Sequence, residues 1–190
     1  MNKLSKIIAA TALIGSLVGC SANSSAAASS ASSVNEETEK HTYTETADAE
    51  SLNYVDTTFH GVTVSMPETW PGKQSLKQEQ MDFAPKGSLD KVEIVYTEGA
   101  TASSDFFSTL TTTEPLTVTS TDEVEVNGVK VNHAVGTIVV YDVIQMDAPC
   151  NLYAIPSENG VVTIITIQDP EGTTDMTPIY DKVLSTVTVA

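Results

Sequence analysis

The chain has 190 residues, of which 41% are hydrophobic, and 25 acidic residues against 9 basic ones leave a formal net charge of −16. All the basic residues are lysines, and they are scattered along the chain. A nucleic-acid or anionic-lipid surface needs arginine or clustered lysine, so this composition argues against both partners.

The first 20 residues have the organisation of an export signal. Two lysines precede an apolar run from Ile7 to Val18, which is too short to cross a hydrocarbon core of roughly 30 Å. The run ends at Leu17-Val18-Gly19-Cys20, which resembles the bacterial lipobox, where the cysteine is diacylated and the chain is cut before it. We therefore predict a signal peptide over residues 1–19 and a lipidated Cys20. The alternative is ordinary signal-peptidase cleavage just after Cys20, which would leave no lipid.

Residues 20–51 are predicted to form a disordered tether. Ser21 to Ser33 is almost entirely Ser and Ala, and Asn35 to Glu50 is polar and acidic. Such a segment buries too little apolar surface to offset its ordering entropy. A flexible coil of this length reaches about 30 Å. A tether of this length is expected of an extracytoplasmic lipoprotein anchored to a cell membrane. It favours a Gram-positive cell, in which the domain must clear the membrane and extend into the cell wall.

Residues 52–190 are predicted to form one globular domain made mostly of antiparallel strands. The Asn127-Gly128 pair lies between alternating residues and predicts a two-residue type I′ turn, since both residues tolerate positive φ. The other strand signals are alternating or Val/Ile-rich runs bounded by Pro and Gly. They fall at residues 59–66, 81–84, 91–96, 134–146, 151–155 and 161–167.

Two helices are predicted as well. Ser103 or Ser104 can cap a short helix that carries Phe106, Phe107 and Leu110. The second helix begins at Asp175 or Thr177, with an apolar stripe at helical spacing. The predicted fold class is therefore α+β: an antiparallel sheet of about six or seven strands with two main helices packed on it.

The order of these elements resembles the PsbP-like fold. In that fold an early strand pair runs into a Pro-x-x-Trp turn, as Pro67-Glu68-Thr69-Trp70 does here, and the meander has a Val-x-Gly turn like Val126-Asn127-Gly128. A closing helix then ends in small and Ser/Thr residues, as Val183 to Thr186 does. The resemblance covers about residues 54–189. It implies a PsbP-like sandwich with a binding or assembly role.

Two residues are candidates for nucleophilic chemistry. Ser88 and Lys91 match the Ser-x-x-Lys spacing of penicillin-recognising enzymes, but the accompanying Ser-Asp-Asn and Lys-Thr-Gly motifs are absent from the chain. Cys150 has no partner for a disulfide if Cys20 is lipidated. It is then either a reactive thiol or a small buried hydrophobe, and we favour burial.

Metal binding has two sets of candidates. His41, His60 and His133 lack the spacing of a ligand pair, and we predict that they are surface or hydrogen-bonded residues. The acidic loop with Asp169, Glu171 and Asp175 is a weak calcium candidate, and the alternative is interaction with the start of the following helix. We favour that alternative and predict no metal or other cofactor.

Three functions remain open. The first is a non-enzymatic, membrane-anchored domain that binds an unknown protein or small-molecule ligand outside the cytoplasm. The second is an extracytoplasmic hydrolase whose site forms only in the fold, which a pocket holding Cys150 or His133 beside a carboxylate would favour. The third is a calcium-binding structural module of the cell surface.

Overall fold

The computed structural model describes residues 41–75, 79–141 and 144–190. They belong to one compact unit, Glu39–Ala190. The predicted signal peptide, Cys20 and the tether up to residue 40 lie outside the described residues. Within the described ranges, no helix is long and apolar enough to cross a membrane.

The described residues form twelve strands and one α-helix. The strands are β1 (Glu45–Thr46), β2 (Tyr54–Phe59), β3 (Val62–Pro67), β4 (Gly72–Ser75), β5 (Gln80–Phe83), β6 (Lys91–Glu98), β7 (Leu116–Val126), β8 (Val129–Tyr141), β9 (Gln145–Ser157), β10 (Gly160–Ile167), β11 (Thr174–Asp175) and β12 (Thr188–Val189), and the helix is α1 (Thr177–Ser185).

A seven-stranded antiparallel sheet is the centre of the fold. Its strand order is β4-β5-β6-β10-β9-β8-β7, and a smaller three-stranded sheet has the order β12-β3-β2. The strands β8 and β10 are rich in Val and Ile, whose branched side chains pack well on a pleated surface. The turn predicted at Asn127-Gly128 is confirmed, since these residues have φ of 45° and 81° and join β7 to β8.

Both faces of the large sheet are buried. On one face, which we call the helix face, Ile94, Val131 and Ile164 belong to a cluster shared with α1, β2 and β3. On the other, the loop face, Leu152 and Ile165 pack with Phe106 and Phe107 from the connection between β6 and β7. Successive residues along a strand alternate between the two faces of a sheet. Within β9, and likewise within β10, one residue therefore packs on the helix face and the next on the loop face.

The prediction of two main helices is wrong, and the fold is mostly β. The described residues contain only one α-helix, and the segment around Phe106 makes a single 3-10 turn, Phe106–Ser108. The backbone N–H and the hydroxyl of Thr109 both donate hydrogen bonds to the Phe106 carbonyl, which ends the turn. Three threonines and Pro115 follow, which disfavour a continued helix. This single turn is enough to bury both phenylalanine rings, so their packing does not require a longer helix.

Ordered contacts begin before residue 52, where the sequence predicts the domain to start. Strand β1 pairs in parallel with β11, and Ala47 donates a backbone hydrogen bond to Asp175. A 3-10 turn at Ala49–Ser51 buries Ala49, whose carbonyl accepts a hydrogen bond from the Tyr54 hydroxyl. Residues near 41–51 therefore contribute to the walls of the domain.

Candidate functional site

Polar side chains cross the helix face on neighbouring strands. Asp122 of β7 lies opposite His133 of β8, and His133 lies opposite Tyr153 of β9. Asn151, two residues before Tyr153, lies opposite Thr166 of β10. The strand register therefore brings together residues that are up to 44 positions apart in the sequence, from Asp122 to Thr166.

His133 is held from both sides of its ring. Its Nδ1 lies 2.7 Å from Asp122 Oδ1, and its Nε2 lies 3.1 Å from the side-chain oxygen of Asn151. The ring also stacks on Tyr153, with 4.9 Å between the ring centroids. A carboxylate only accepts hydrogen bonds, so Asp122 fixes the proton on Nδ1 and orients the ring.

Two adjoining depressions lie beside α1 on the helix face, with volumes of about 350 and 360 Å³. They share Tyr153 and Asp181, and we call them together the helix groove. Volumes of this size fall within the range of small-ligand sites. The further lining residues are His41, Tyr43, Pro149, Asn151, Thr166, Gln168, Thr177 and Tyr180 in the first depression, and Val124, Glu125, Val126, Asn127, His133, Leu184 and Ser185 in the second.

The floor of the first depression has unsatisfied polar groups. Thr166 and Gln168 line it although they are only 3% and 8% exposed. The Gln168 amide donates to the Thr174 carbonyl at 3.0 Å. Among the described residues, neither the Thr166 hydroxyl nor the Gln168 side-chain oxygen has a hydrogen-bond partner. Unlike the Thr163 hydroxyl, neither atom is a fully buried group without a partner, so both are open to water or to a bound molecule.

The tyrosines of the helix groove stay protonated. Burial raises the pKa of Tyr153 to about 12, and the negative charges of Asp181 and Asp122 add to the effect. Burial and nearby aspartates, Asp90 first among them, also raise the pKa of Tyr43. Tyr180 has a raised pKa from burial and from Asp90, and its hydroxyl donates to the Ile167 carbonyl. All three are therefore neutral phenols in a negative local field.

The candidate nucleophiles do not meet in the structure. Cys150 is 1% exposed and faces the loop-face core, away from His133, and burial raises the pKa of its thiol to about 12. Ser88 donates to Asp90 at 2.6 Å, whereas Lys91 pairs with Glu93 at 2.5 Å. Neither residue is placed to activate the other.

The three histidines contact different residues and do not form a common site. His41 approaches the Gly172 carbonyl at 2.7 Å and lines the helix groove. His60 pairs with Glu79 at 3.0 Å and stacks on Tyr96. His133 is part of the polar row described above, beside a carboxylate.

The acidic loop uses its carboxylates locally. Asp169 accepts backbone hydrogen bonds from Leu89 and Glu171, and Asp175 accepts one from Thr177 at the start of α1. Glu171 is exposed. In the part of the chain that the structure describes, no three His, Cys, Asp or Glu residues are arranged to hold a metal ion.

Two features of the site were missed at the level of sequence. Thr166 lies within the mostly apolar strand β10, which Thr163 also interrupts, and Gln168 directly follows the strand; these polar positions are the signal that could have marked them. The lysines, which are scattered in sequence, are partly gathered by the fold. Lys73, Lys86 and Lys91 line one depression of about 700 Å³, together with Glu68 and Asp82.

Comparison with known proteins gives only distant similarities. No known protein family matches the chain, and no curated protein is similar to it in sequence. A Bacteroides thetaiotaomicron protein of known structure is 9% identical, with a TM-score of 0.45, over 68% of this chain and 45% of that one. The present chain thus spans less than half of that protein's length.

The solution structure of a cyanobacterial PsbP protein, CyanoP from Synechocystis, is 12% identical, with a TM-score of 0.46, over 73% of this chain and 92% of that one. It bears the name of the fold that the sequence resembles. Similarity at this level assigns neither a family nor an activity, so the PsbP-like relationship stays a prediction.

Proposed function

We propose that this protein is a lipid-anchored extracytoplasmic binding domain that holds a small ligand in the helix groove without catalysing a reaction. The anchor rests on the lipobox at Cys20, which lies outside the described residues. The binding role rests on the helix groove, with its aromatic walls and its polar floor.

The observation that carries this proposal is the pair of unsatisfied groups on the groove floor. A hydrogen bond that replaces a contact with water contributes a net stabilisation of about 0.5–1.5 kcal/mol. Thr166 is 3% exposed yet lines the groove, so a ligand can reach its hydroxyl. A ligand that pairs with this hydroxyl and with the Gln168 oxygen replaces their contacts with water by two oriented hydrogen bonds.

Binding is better supported than hydrolysis by the surroundings of His133. A nucleophilic site needs a hydroxyl or thiol beside the base. The two ring nitrogens of His133 instead contact Asp122 and Asn151, while the Cys150 thiol is buried on the opposite face. These contacts orient the histidine as a wall of the groove.

The test compares two valine substitutions on one strand. Thr166→Val removes the hydroxyl on the groove floor and nearly preserves the side-chain shape. Thr163→Val is the matched control, because the same substitution on the same strand removes a hydroxyl that is fully buried on the loop face and cannot be reached from the groove. Residues 21–190 of each variant are screened by amide chemical shifts against a panel of neutral, cationic and anionic small molecules.

We expect hits on the wild-type chain to shift the amides of Asn151, Tyr153, Thr166 and Gln168. Thr166→Val should weaken a hit that uses the hydroxyl by about five- to tenfold, the effect of losing roughly 1 kcal/mol or slightly more. Thr163→Val should leave affinity unchanged. A panel that produces no shifts, or shifts only away from the groove, would overturn the proposed function.

A further inference from the structure

We propose that the helix groove selects a small organic cation, a molecule carrying an ammonium group. This inference deepens the proposed function and rests on it, since it names the chemical class of ligand for the same groove. It stands on the charges that line the groove, on its aromatic walls and on the separate placement of the lysines.

The charged side chains of the groove are acidic. Asp181 lies in both depressions, and its side chain is exposed to solvent. Asp122 adds a second carboxylate behind His133. Glu125 belongs to the lining of the second depression, but it follows Val124 on β7, so its side chain points to the opposite face of the strand. No lysine is among the described lining residues, and the chain has no arginine. A groove with charges of one sign concentrates ions of the opposite sign.

Aromatic rings provide the second requirement for binding an ammonium ion. Tyr43 and Tyr153 are half-buried in the groove, and a tyrosine ring presents a negative face to a cation within about 6 Å of its centre. Both phenols are neutral at physiological pH, since the ordinary tyrosine pKa of 10.0 already lies above it and burial with nearby aspartates raises their pKa values further. The aromatic walls and the carboxylates therefore favour the same ligand charge.

The lysines that could neutralise this surface are held elsewhere. Lys182, the basic residue of α1, pairs with Glu50 at 3.1 Å, and Lys130 pairs with Glu123 at 3.2 Å. The other three described lysines line the separate depression of about 700 Å³. A negatively charged ligand would meet repulsion in the helix groove and has a more favourable surface on the same molecule.

The unsatisfied floor groups complete the recognition. The Gln168 side-chain oxygen accepts hydrogen bonds only, and the Thr166 hydroxyl can accept or donate. An ammonium N–H, or a hydroxyl carried on the same small cation, can pair with them. The floor then fixes the orientation of a ligand whose charge is held by Asp181 and the tyrosine rings.

The test uses choline and its neutral isostere 3,3-dimethylbutan-1-ol, which have nearly the same shape but differ in charge. Both are titrated into residues 21–190 and followed by the amide shifts of the groove residues. Asp181→Asn removes one carboxylate from the groove. Asp105→Asn is the matched control, because Asp105 is exposed, makes no capping hydrogen bond and lies beside the loop-face phenylalanines.

We expect choline to bind at the groove at least fivefold more tightly than the isostere. Asp181→Asn should weaken choline about threefold or more without affecting the isostere, and Asp105→Asn should affect neither. Added salt should weaken choline more than the isostere, since it screens exposed charges.

Two outcomes would overturn the inference, and they are distinguishable. If neutral or anionic compounds of the panel shift the groove amides while choline does not, or if the isostere binds as tightly as choline, the charge selection is wrong and the binding role survives. If choline and the whole panel leave the groove amides unchanged, the proposed function itself fails and the inference fails with it.

Discussion

At the scale of single residues, the large sheet contains a buried acid, Glu93, whose burial disfavours the charged form of its carboxyl group. Glu93 is 2% exposed on β6, and its carboxylate pairs with Lys91 at 2.5 Å. Burial raises the pKa of Glu93, and the attraction of Lys91 lowers it by less. Charged Glu93 therefore costs stability at neutral pH, as is common for buried ion pairs whose desolvation exceeds their attraction.

This raised pKa predicts a pH-dependent effect of Glu93→Gln. A folded-state pKa above the unfolded value means that the folded state binds more protons, so stability falls as pH rises through the folded pKa. Wild type and variant should have similar stability below the ordinary carboxyl pKa of 4.5. The variant should become the more stable one as pH rises above it.

Urea unfolding between about pH 4 and pH 8 measures this difference. The exposed Glu98, on the same strand, supplies Glu98→Gln as a control for the change in net charge. Identical pH profiles for the two variants would show that burial of Glu93 does not set its pKa.

At the scale of elements, two glycines of the β7–β8 hairpin are required for different reasons. Gly128 has φ of 81° in the turn, and a Cβ there would meet nothing within 4 Å. Gly136 lies in β8 near the register shift between Val118 and Ser120, and a Cβ there would come within 2.2 Å of the Thr117 carbonyl oxygen. The first glycine provides backbone freedom, and the second allows two strands to approach closely.

Alanine substitutions should separate these two roles. Gly128→Ala should cost about 1 kcal/mol of unfolding free energy, the strain of a left-handed residue without a clash. Gly136→Ala should cost more, about 2 kcal/mol or above, because β7 and β8 must move apart. Urea midpoints give both values, and an equal cost at the two sites would contradict the close approach at Gly136.

At the scale of the whole molecule, charge is unevenly distributed on a strongly acidic protein. The net charge is −16, yet Lys73, Lys86 and Lys91 line one depression while Asp181 and Asp122 lie at the helix groove. Such a field attracts small cations and repels an anionic bilayer surface. The proposed anchor therefore relies on hydrophobic insertion of the lipid predicted on Cys20.

The anchor can be tested in cells with the two cysteines of the chain. Labelled fatty acid should enter the wild-type protein and Cys150→Ala, whereas Cys20→Ala should take up no label and appear in the soluble fraction. Loss of two acyl chains removes nearly all of the hydrophobic insertion energy, at about 0.8 kcal/mol per buried CH₂. Label that persists in Cys20→Ala would contradict lipidation at this residue.

Local signals correctly predicted a large part of the strand content, but they also predicted a middle helix that does not form. The Asn127-Gly128 turn and the hairpin between β9 and β10 depend on neighbouring residues, so their residue types were sufficient. The segment around Phe106 has the capping residues and aromatic spacing of a helix. Its conformation depends instead on the packing of the two phenylalanine rings against strands that are distant in sequence.

The candidate site could be predicted only in pieces. His133 and Cys150 were recognised as candidates. The sequence could not tell that their side chains lie on opposite faces of the sheet and so cannot belong to one site. Thr166, Gln168 and Asp181 have no local motif. They become neighbours through the register of β9 with β10 and the packing of α1 on the helix face.

The amino-acid sequence by itself determined the acidic character of this protein, the resemblance of residues 17–20 to a lipobox, the turns and most of the strands, because these depend on composition or on residues adjacent in the chain. The tertiary structure alone decided that the segment around Phe106 forms a single turn, that Cys150 is buried away from His133, and that acidic and aromatic side chains share a groove. Those features depend on strand register and on the burial of side chains by residues far away in sequence, which no local pattern records.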